Sequence, residues 1–217
     1  MSDPPSAEST DEKLESILNR QLSKRSCLIL LVLIVGPIFW IFSTDKSRYR
    51  DAIMRLESRF MAVAISDAVM QFYTDYRRLP LPSGPPPQDG DRDTDTSPAH
   101  GFVALLLGQE SDTGERQNKK NTDYGLDIKP ARAKPGGAYP WKNGLISEAA
   151  TGTYGIVDYF GNPYRIRLDT NGDQQLANPN PDQAAQGTAA LSKRVIVWSA
   201  GKDGDWNTWD DNPMSWD

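Results

Sequence analysis

The chain is nearly without the side chains on which most small catalytic sites are built. Among its 217 residues there is one histidine, His100, and one cysteine, Cys27. A single histidine excludes a His-rich zinc centre and leaves no His-based triad in its usual form. A single cysteine excludes any intrachain disulfide, and with it a disulfide-stapled fold, while leaving the compartment open. No Gly-x-Ser-x-Gly elbow, phosphate-binding glycine loop or His-Glu-x-x-His helix is present. Paired carboxylates occur only in loop-like stretches, without the apolar pocket that would raise one pKa for acid–base work. The expectation is a protein that is not an enzyme. A surplus of positive charge is missing as well. The formal net charge is −5 and the pI about 5.0, with no Lys/Arg stripe, which argues against nucleic acid as a partner.

Long apolar runs are also missing, with one exception. Cys27 to Phe42 carries no charge and no amide side chain. With Ser26 and Ser43 at its edges it reaches the ~17-residue lower limit for a helix that spans a bilayer. Trp40 lies near its far end, where an amphipathic ring favours the membrane–water boundary. Gly36-Pro37 would kink a soluble helix, but membrane helices tolerate such a pair when freed carbonyls find partners. Basic residues close to both ends argue for an anchor over a buried core helix. The run is longer than the roughly 7–15-residue core of a signal peptide, and Ser43-Thr44-Asp45 is a poor cleavage site. Residues 27–43 are therefore expected to be an uncleaved transmembrane anchor, with Cys27 an ordinary membrane-facing residue. Residues 1–26 are polar and of low hydrophobicity, and read as a disordered tail. Charge does not decide the topology. Lys13, Arg20, Lys24 and Arg25 precede the anchor, while Lys46, Arg48, Arg50, Arg55 and Arg59 follow it.

Past Phe42 the pattern is helical. Tyr49, Ile53, Leu56, Phe60, Ala64, Ala68 and Phe72 recur every three or four residues, predicting a helix over 45–78 with that face buried. Leu79-Pro80-Leu81-Pro82 cannot continue it. Residues 79–99, rich in proline and aspartate, read as a solvated loop. Residues 101–107 read as a short apolar helix, with Gly108 as its C-cap. Strand signals appear late. Arg165-Ile-Arg-Leu168 alternates as a half-buried strand should, Asn171-Gly172 suits a hairpin turn, and Arg194–Trp198 reads as the last strand. The stretch 177–190 reads as a polar loop. One modest α+β domain over 44–217 is expected, a long helix packed on a small C-terminal antiparallel sheet with long loops.

The densest group of side-chain oxygens is at the end: Asp203, Asp205, Asn207, Asp210 and Asp211, punctuated by Gly201 and Gly204. Hard cations such as Ca²⁺ take about six to eight oxygen ligands, commonly carboxylates with backbone carbonyls. Clustered carboxylates repel one another unless a counter-charge is supplied. Composition alone favours a solvated acidic tail, and the spacing matches no EF-hand. Trp198, Trp206, Trp209 and Trp216 crowd the same end, where core packing is the commoner use of aromatics than ligand binding.

Several of these stretches together resemble one family. The helix end Asp67-Ala-Val-Met-Gln-Phe-Tyr-Thr-Asp-Tyr-Arg-Arg-Leu-Pro80 is similar to Ala-Leu-x-x-Tyr-x-x-Asp-x-Gly-x-Tyr-Pro of the major pseudopilin, the G subunit, of type II secretion systems. Gly101-Phe-Val-Ala-Leu105 stands where that family has Gly-Leu-x-Ala-Leu. Asp158-Tyr-Phe-Gly-Asn-Pro-Tyr164 resembles its Asp-Pro-Trp-Gly-Asn-Pro-Tyr, and Ser199-Ala-Gly-Lys-Asp-Gly204 with Asp210-Asp211 and Trp216 parallels its closing segment. The resemblance implies a type IV pilin-like fold and a non-enzymatic structural subunit at the bacterial inner membrane. It also implies a cytoplasmic N-terminus, a periplasmic domain, and partners among secretion-system subunits reached through the N-terminal helix. It implies a structural calcium ion on Asp203 and Asp211, with Asp205, Asn207 and Asp210 as further candidates and backbone oxygens near Trp198–Gly201 completing the shell. One motif departs. Prepilins carry Gly-Phe-Thr-Leu-Ile-Glu or close variants at the cleavage junction, and here Lys24-Arg25-Ser26-Cys27-Leu28-Ile29-Leu30-Leu31 has neither glycine, phenylalanine nor glutamate. An assembling subunit and a non-polymerising, membrane-tethered binding domain of the same fold are therefore both open.

Overall fold

The computed structural model describes residues 48–81, 90–110, 116–124, 128–133, 141–148 and 152–216. The expected tail 1–26 and anchor 27–43 lie outside them. No described helix is long and apolar enough to cross a membrane. The chain divides into two units, Met1–Asp51 and Ala52–Asp217, and the second holds every described strand.

The main helix, α1, occupies residues 48–76 of the described chain, all but its first four residues in the second unit. The Arg77 N–H closes the last turn on the Tyr73 carbonyl, and Arg77 itself takes the left-handed conformation at φ +54. Leu79-Pro80 then leads the chain away, close to the expected end. The buried face is Ser58, Ala62, Ile65, Ala68, Val69 and Phe72. This corrects the expected stripe: Ala68 and Phe72 are buried, but Ile53, Leu56 and Phe60 are 41%, 50% and 65% exposed. At 3.6 residues per turn Leu56 lies half a turn round the helix from Ile65. The helix therefore carries two apolar faces, and only one meets the core of its own domain.

Below α1 lies a three-stranded antiparallel sheet of order β1-β6-β9, from β1 (Arg92–Asp95), β6 (Tyr164–Leu168) and β9 (Val195–Ser199). β6 alternates as expected: Tyr164, Ile166 and Leu168 are buried against α1, while Arg165 and Arg167 take the other face. β9 is buried on both sides. Val195 and Val197 join the α1 core, which also takes in Phe102, Val103 and Leu106 of α2 (Phe102–Leu106). Ile196 and Trp198 join a second cluster with Leu176, Leu191 and Met214, on which Trp206, Trp209 and Trp216 pack. The C-terminal segment runs along the outer edge of β9, where Ser199 N–H meets the Pro213 carbonyl and Ser215 N–H the Val197 carbonyl. The sheet edge is thus covered by the protein's own chain. Mixed helix and small antiparallel sheets make this an α+β domain.

Three local expectations are corrected. The stretch 79–99 holds a strand, β1, whose Arg-Asp-Thr-Asp sequence has one strand former, Thr94, between two aspartates that disfavour strands. It forms where β6 offers a ladder and Arg167 grips Asp93 at 2.6 and 2.8 Å. Asn171-Gly172 does not close a hairpin onto β6, because β1 and β9 already occupy both its edges. The strand after it, β7 (Leu176–Ala177), pairs instead with β8 (Ala190–Leu191). The loop 177–190 contains a short helix, α3 (Pro181–Ala185), whose N-cap Asn180 accepts the Asp182 and Gln183 N–H groups. The remaining strands, β2 (Arg132–Ala133), β3 (Trp141–Lys142), β4 (Gly144–Glu148) and β5 (Thr153–Val157), form two small hairpin-like pairs beside α2 and α1.

Candidate functional site

The C-terminal loop leaves β9 at Ser199 and returns to its edge at Asn212. A chain of short-range hydrogen bonds gives it shape. Asp211 Oδ2 accepts the Lys202 N–H at 2.6 Å and the Asp203 N–H at 3.3 Å. Asp203 accepts the Asp205 N–H at 2.9 Å and the Thr208 hydroxyl at 2.5 Å. Asp205 accepts both the backbone and the side-chain nitrogen of Asn207, each at 2.9 Å. The Thr208 hydroxyl outweighs any desolvation and holds the exposed Asp203 carboxyl below its ordinary pKa. Gly201 is obligatory here. At φ +66 it packs so closely that a Cβ would lie 2.7 Å from the Asp211 carbonyl oxygen and 2.8 Å from its carboxyl carbon.

Of the candidate ligands, Asp203 and Asp211 are brought into contact through the Asp203 backbone, and Asp205 and Asn207 follow on by their own turns. Asp210 is placed differently: its carbonyl accepts Arg55 Nη1 of α1 at 2.9 Å, tying the loop to the helix. Among the described residues no group of three or more His, Cys, Asp or Glu side chains is gathered closely enough to hold a metal ion. The donor set fits calcium in kind, since it is all hard oxygen and half-exposed Asp211 keeps a second carboxylate oxygen. Carbonyls would have to supply most of the remaining ligands.

The base of the loop is fixed by a group that sequence reasoning recognised as a motif but gave no role. Asp158, fully buried, accepts Phe160 N–H at 2.8 Å and Asn162 N–H at 2.7 Å on one oxygen. Its other oxygen receives the hydroxyl of buried Ser199. Asn162 Nδ2 then donates to the Gly201 carbonyl at 2.7 Å. Burial pushes the Asp158 carboxyl above its ordinary pKa, against the pull of the Ser199 and backbone hydrogen bonds. Helix α1 closes the arrangement: Ser58 Oγ accepts Tyr159 N–H at 3.2 Å, and the Tyr164 hydroxyl donates to the Ser58 carbonyl at 3.1 Å. The Asp-x-x-Gly-Asn-Pro-Tyr spacing was the one signal of this hub.

The lone histidine sits in a different cluster. His100 Nδ1 is 2.7 Å from Asp95 Oδ1 and 3.1 Å from Ser97 Oγ. A nucleophilic relay needs the carboxylate on one ring nitrogen and the hydroxyl on the other. Here both fall on Nδ1, and Asp95 also caps the Ser97 N–H at 2.7 Å, so the group pins a turn.

The four tryptophans near the end are partly or wholly packed. Trp198 meets Trp216 edge to face with centroids 6.2 Å apart, and the Arg165 guanidinium lies 4.1 Å over the Trp206 ring. The loop, the hub and the aromatic cluster have no counterpart to set them against: no protein-family model, curated protein or solved structure matches this chain.

Proposed function

We propose that this chain is a membrane-anchored structural subunit of pseudopilin type, with a type IV pilin-like fold, in a bacterial type II secretion or pilus-type machine. Residues 27–43 hold it in the inner membrane, the tail 1–26 is cytoplasmic and the α+β domain is periplasmic. It performs no catalysis. A calcium ion, held by Asp203 and Asp211 with carbonyls of residues 198–201, braces the C-terminal loop, which has few apolar residues to order it.

The observation that carries this reading is the double-faced helix. Ile65, Val69 and Phe72 bind α1 to its own sheet, while Ile53, Leu56 and Phe60 form a bare apolar stripe on the opposite side. The stripe lies on the helix that comes after the expected anchor, where the stems of neighbouring subunits would meet. In a Cys27→Ser background, Leu56→Cys is expected to give an oxidation ladder of covalent dimers in the membrane, and Lys193→Cys, at an exposed position beside Arg194 near the other end of α1, none. Monomer alone from Leu56→Cys defeats the assembly reading. The junction Lys24–Leu31, without the prepilin residues, favours the alternative of a permanent tether contacting an envelope partner. The N-terminus of the native protein separates the two. A start near Ser26 or Cys27 belongs to an assembling subunit, and an intact Met1 to a tether.

A further inference from the structure

At the end of α1 farthest from residue 48 lies a cleft of about 340 Å³. Its walls are the helix end, the turn Asp169–Gly172, Gln117 and Arg194. Three arginines, Arg77, Arg78 and Arg194, line it. Arg194 is held in place, 4.7 Å over the Tyr73 ring and 3.5 Å from Asp169 Oδ2. Arg78 reaches across to the Gln117 carbonyl at 3.3 Å. Among the described residues the Arg77 side chain has no hydrogen-bond or ion-pair partner. Asp169 offsets one of the three positive charges, and its buried carboxylate is already engaged, accepting the Gly172 N–H at 2.7 Å and the Gln174 N–H at 3.0 Å.

Helix-end arginines have an ordinary use, to offset the negative end of the helix dipole. That accounts for neither Arg194, which comes from another element, nor the backbone of Arg77. The residue just past a helix in the left-handed conformation is commonly glycine, and a bulky side chain there is strained. Arg77 adopts φ +54 and lines the cleft. Strain retained at one residue beside two further cations points to a ligand, in a chain whose overall charge is −5.

We propose that this cleft binds the phosphate group of a small molecule. Three arginines and one aspartate leave a formal +2, which matches the charge of about −1.5 to −2 on a phosphate monoester at pH 7. Planar guanidinium forks bind phosphate oxygens two at a time, and three of them exceed what a single carboxylate ligand can use. The cleft is at the small end of the range for small-molecule sites, which suits a phosphorylated metabolite rather than a polymer. Nothing in this site draws on the membrane or calcium reading.

Calorimetric titration and thermal melting of the full chain test it, with inorganic phosphate, glucose 6-phosphate and chloride-matched controls. Vesicles with and without phosphatidic acid form a further arm. Phosphate and the sugar phosphate are expected to bind and to raise the Tm, where chloride does not. Arg77→Gly separates ligand from scaffold, because it relieves backbone strain. It should raise the ligand-free Tm by roughly 2–4 °C while weakening phosphate binding at least tenfold. Arg194→Gln should weaken binding by a similar factor. The proposal is overturned if millimolar phosphate gives neither heat nor a Tm shift, or if Arg77→Gly binds phosphate as the parent does. A response confined to phosphatidic acid vesicles overturns it too, since the ligand would then be a lipid surface.

Discussion

Ser199 donates its hydroxyl to a carboxylate oxygen of Asp158, a residue 41 positions earlier, and both side chains are fully buried. This one contact joins the last strand to the turn before β6, and through Asn162 it fixes the root of the C-terminal loop. Removing the acceptor strands a buried hydroxyl and leaves two half-buried backbone N–H groups without their partner. Asp158→Ala is therefore expected to destabilise the domain by about 2–4 kcal/mol, read as a fall in the urea midpoint. Ser199→Ala removes one donor and the 3.2 Å acceptor of the Gly201 N–H, and should cost about 1–2 kcal/mol. If the two variants unfold like the parent, the hub is incidental.

The same carboxyl sets a pH signature. Its native pKa is raised by burial above the unfolded value near 3.9. A raised acid binds its proton more tightly in the native state, so its contribution to stability is greatest below the unfolded pKa. That contribution declines as pH rises towards the native pKa and is level beyond it. Asp95 has the opposite sign. Burial raises it, but the Ser97 and His100 hydrogen bonds win and hold it low, so its contribution is lost on acidification. Asp158→Asn does not titrate. Its stability deficit relative to the parent should therefore shrink as pH rises above about 4, measured by denaturant titration at stepped pH. A deficit that grows over the same range would place the Asp158 pKa below its ordinary value.

Gly201 and Gly172 both have positive φ, at +66 and +81, but their surroundings differ. A Cβ at Gly172 meets nothing within 4 Å, whereas one at Gly201 lands on the backbone of Asp211. Gly172→Ala should cost only the left-handed strain, about 1 kcal/mol. Gly201→Ala must also displace the loop, and should cost roughly 2–4 kcal/mol. Equal losses would mean that the 199–211 loop shifts freely around the new methyl.

Sequence range decides which elements were readable in advance. Alternation in Arg165–Leu168 and the apolar block Val195–Trp198 are local patterns, and both strands formed where expected. β1 was invisible because Arg92–Asp95 becomes a strand only through Arg167 and the open edge of β6. The buried face of α1 was placed wrongly for a related reason. Periodicity finds apolar stripes, and this helix has two, so Tyr49–Phe72 and Ser58–Phe72 compete with nothing local to choose between them. The acidic cluster was found from composition. Its inner order was not, since the backbone N–H groups of Lys202, Asp203, Asp205 and Asn207 all turn into carboxylates nearby in sequence. The arginine cleft joins residues from four separated segments, and no spacing could announce it.

Calcium provides the remaining prediction. The loop's carboxylates already accept backbone N–H groups, so the fold does not depend on an ion to form, and a bound ion should act as an added brace. At a calcium concentration 100 times its dissociation constant the native state gains ~2.7 kcal/mol. For a domain of this size that corresponds to a rise of roughly 5–10 °C in Tm. Magnesium, which demands tighter octahedral geometry, should do much less. Asp211→Asn and Asp203→Asn are each expected to abolish the calcium increment while leaving the chelator-treated Tm near that of the parent, because an amide oxygen still accepts the same N–H groups. Gly172→Ala, away from the loop, should keep the increment whole. A Tm that is the same in calcium and in chelator would remove the metal from the account and leave the N–H-to-carboxylate turns as the loop's entire support.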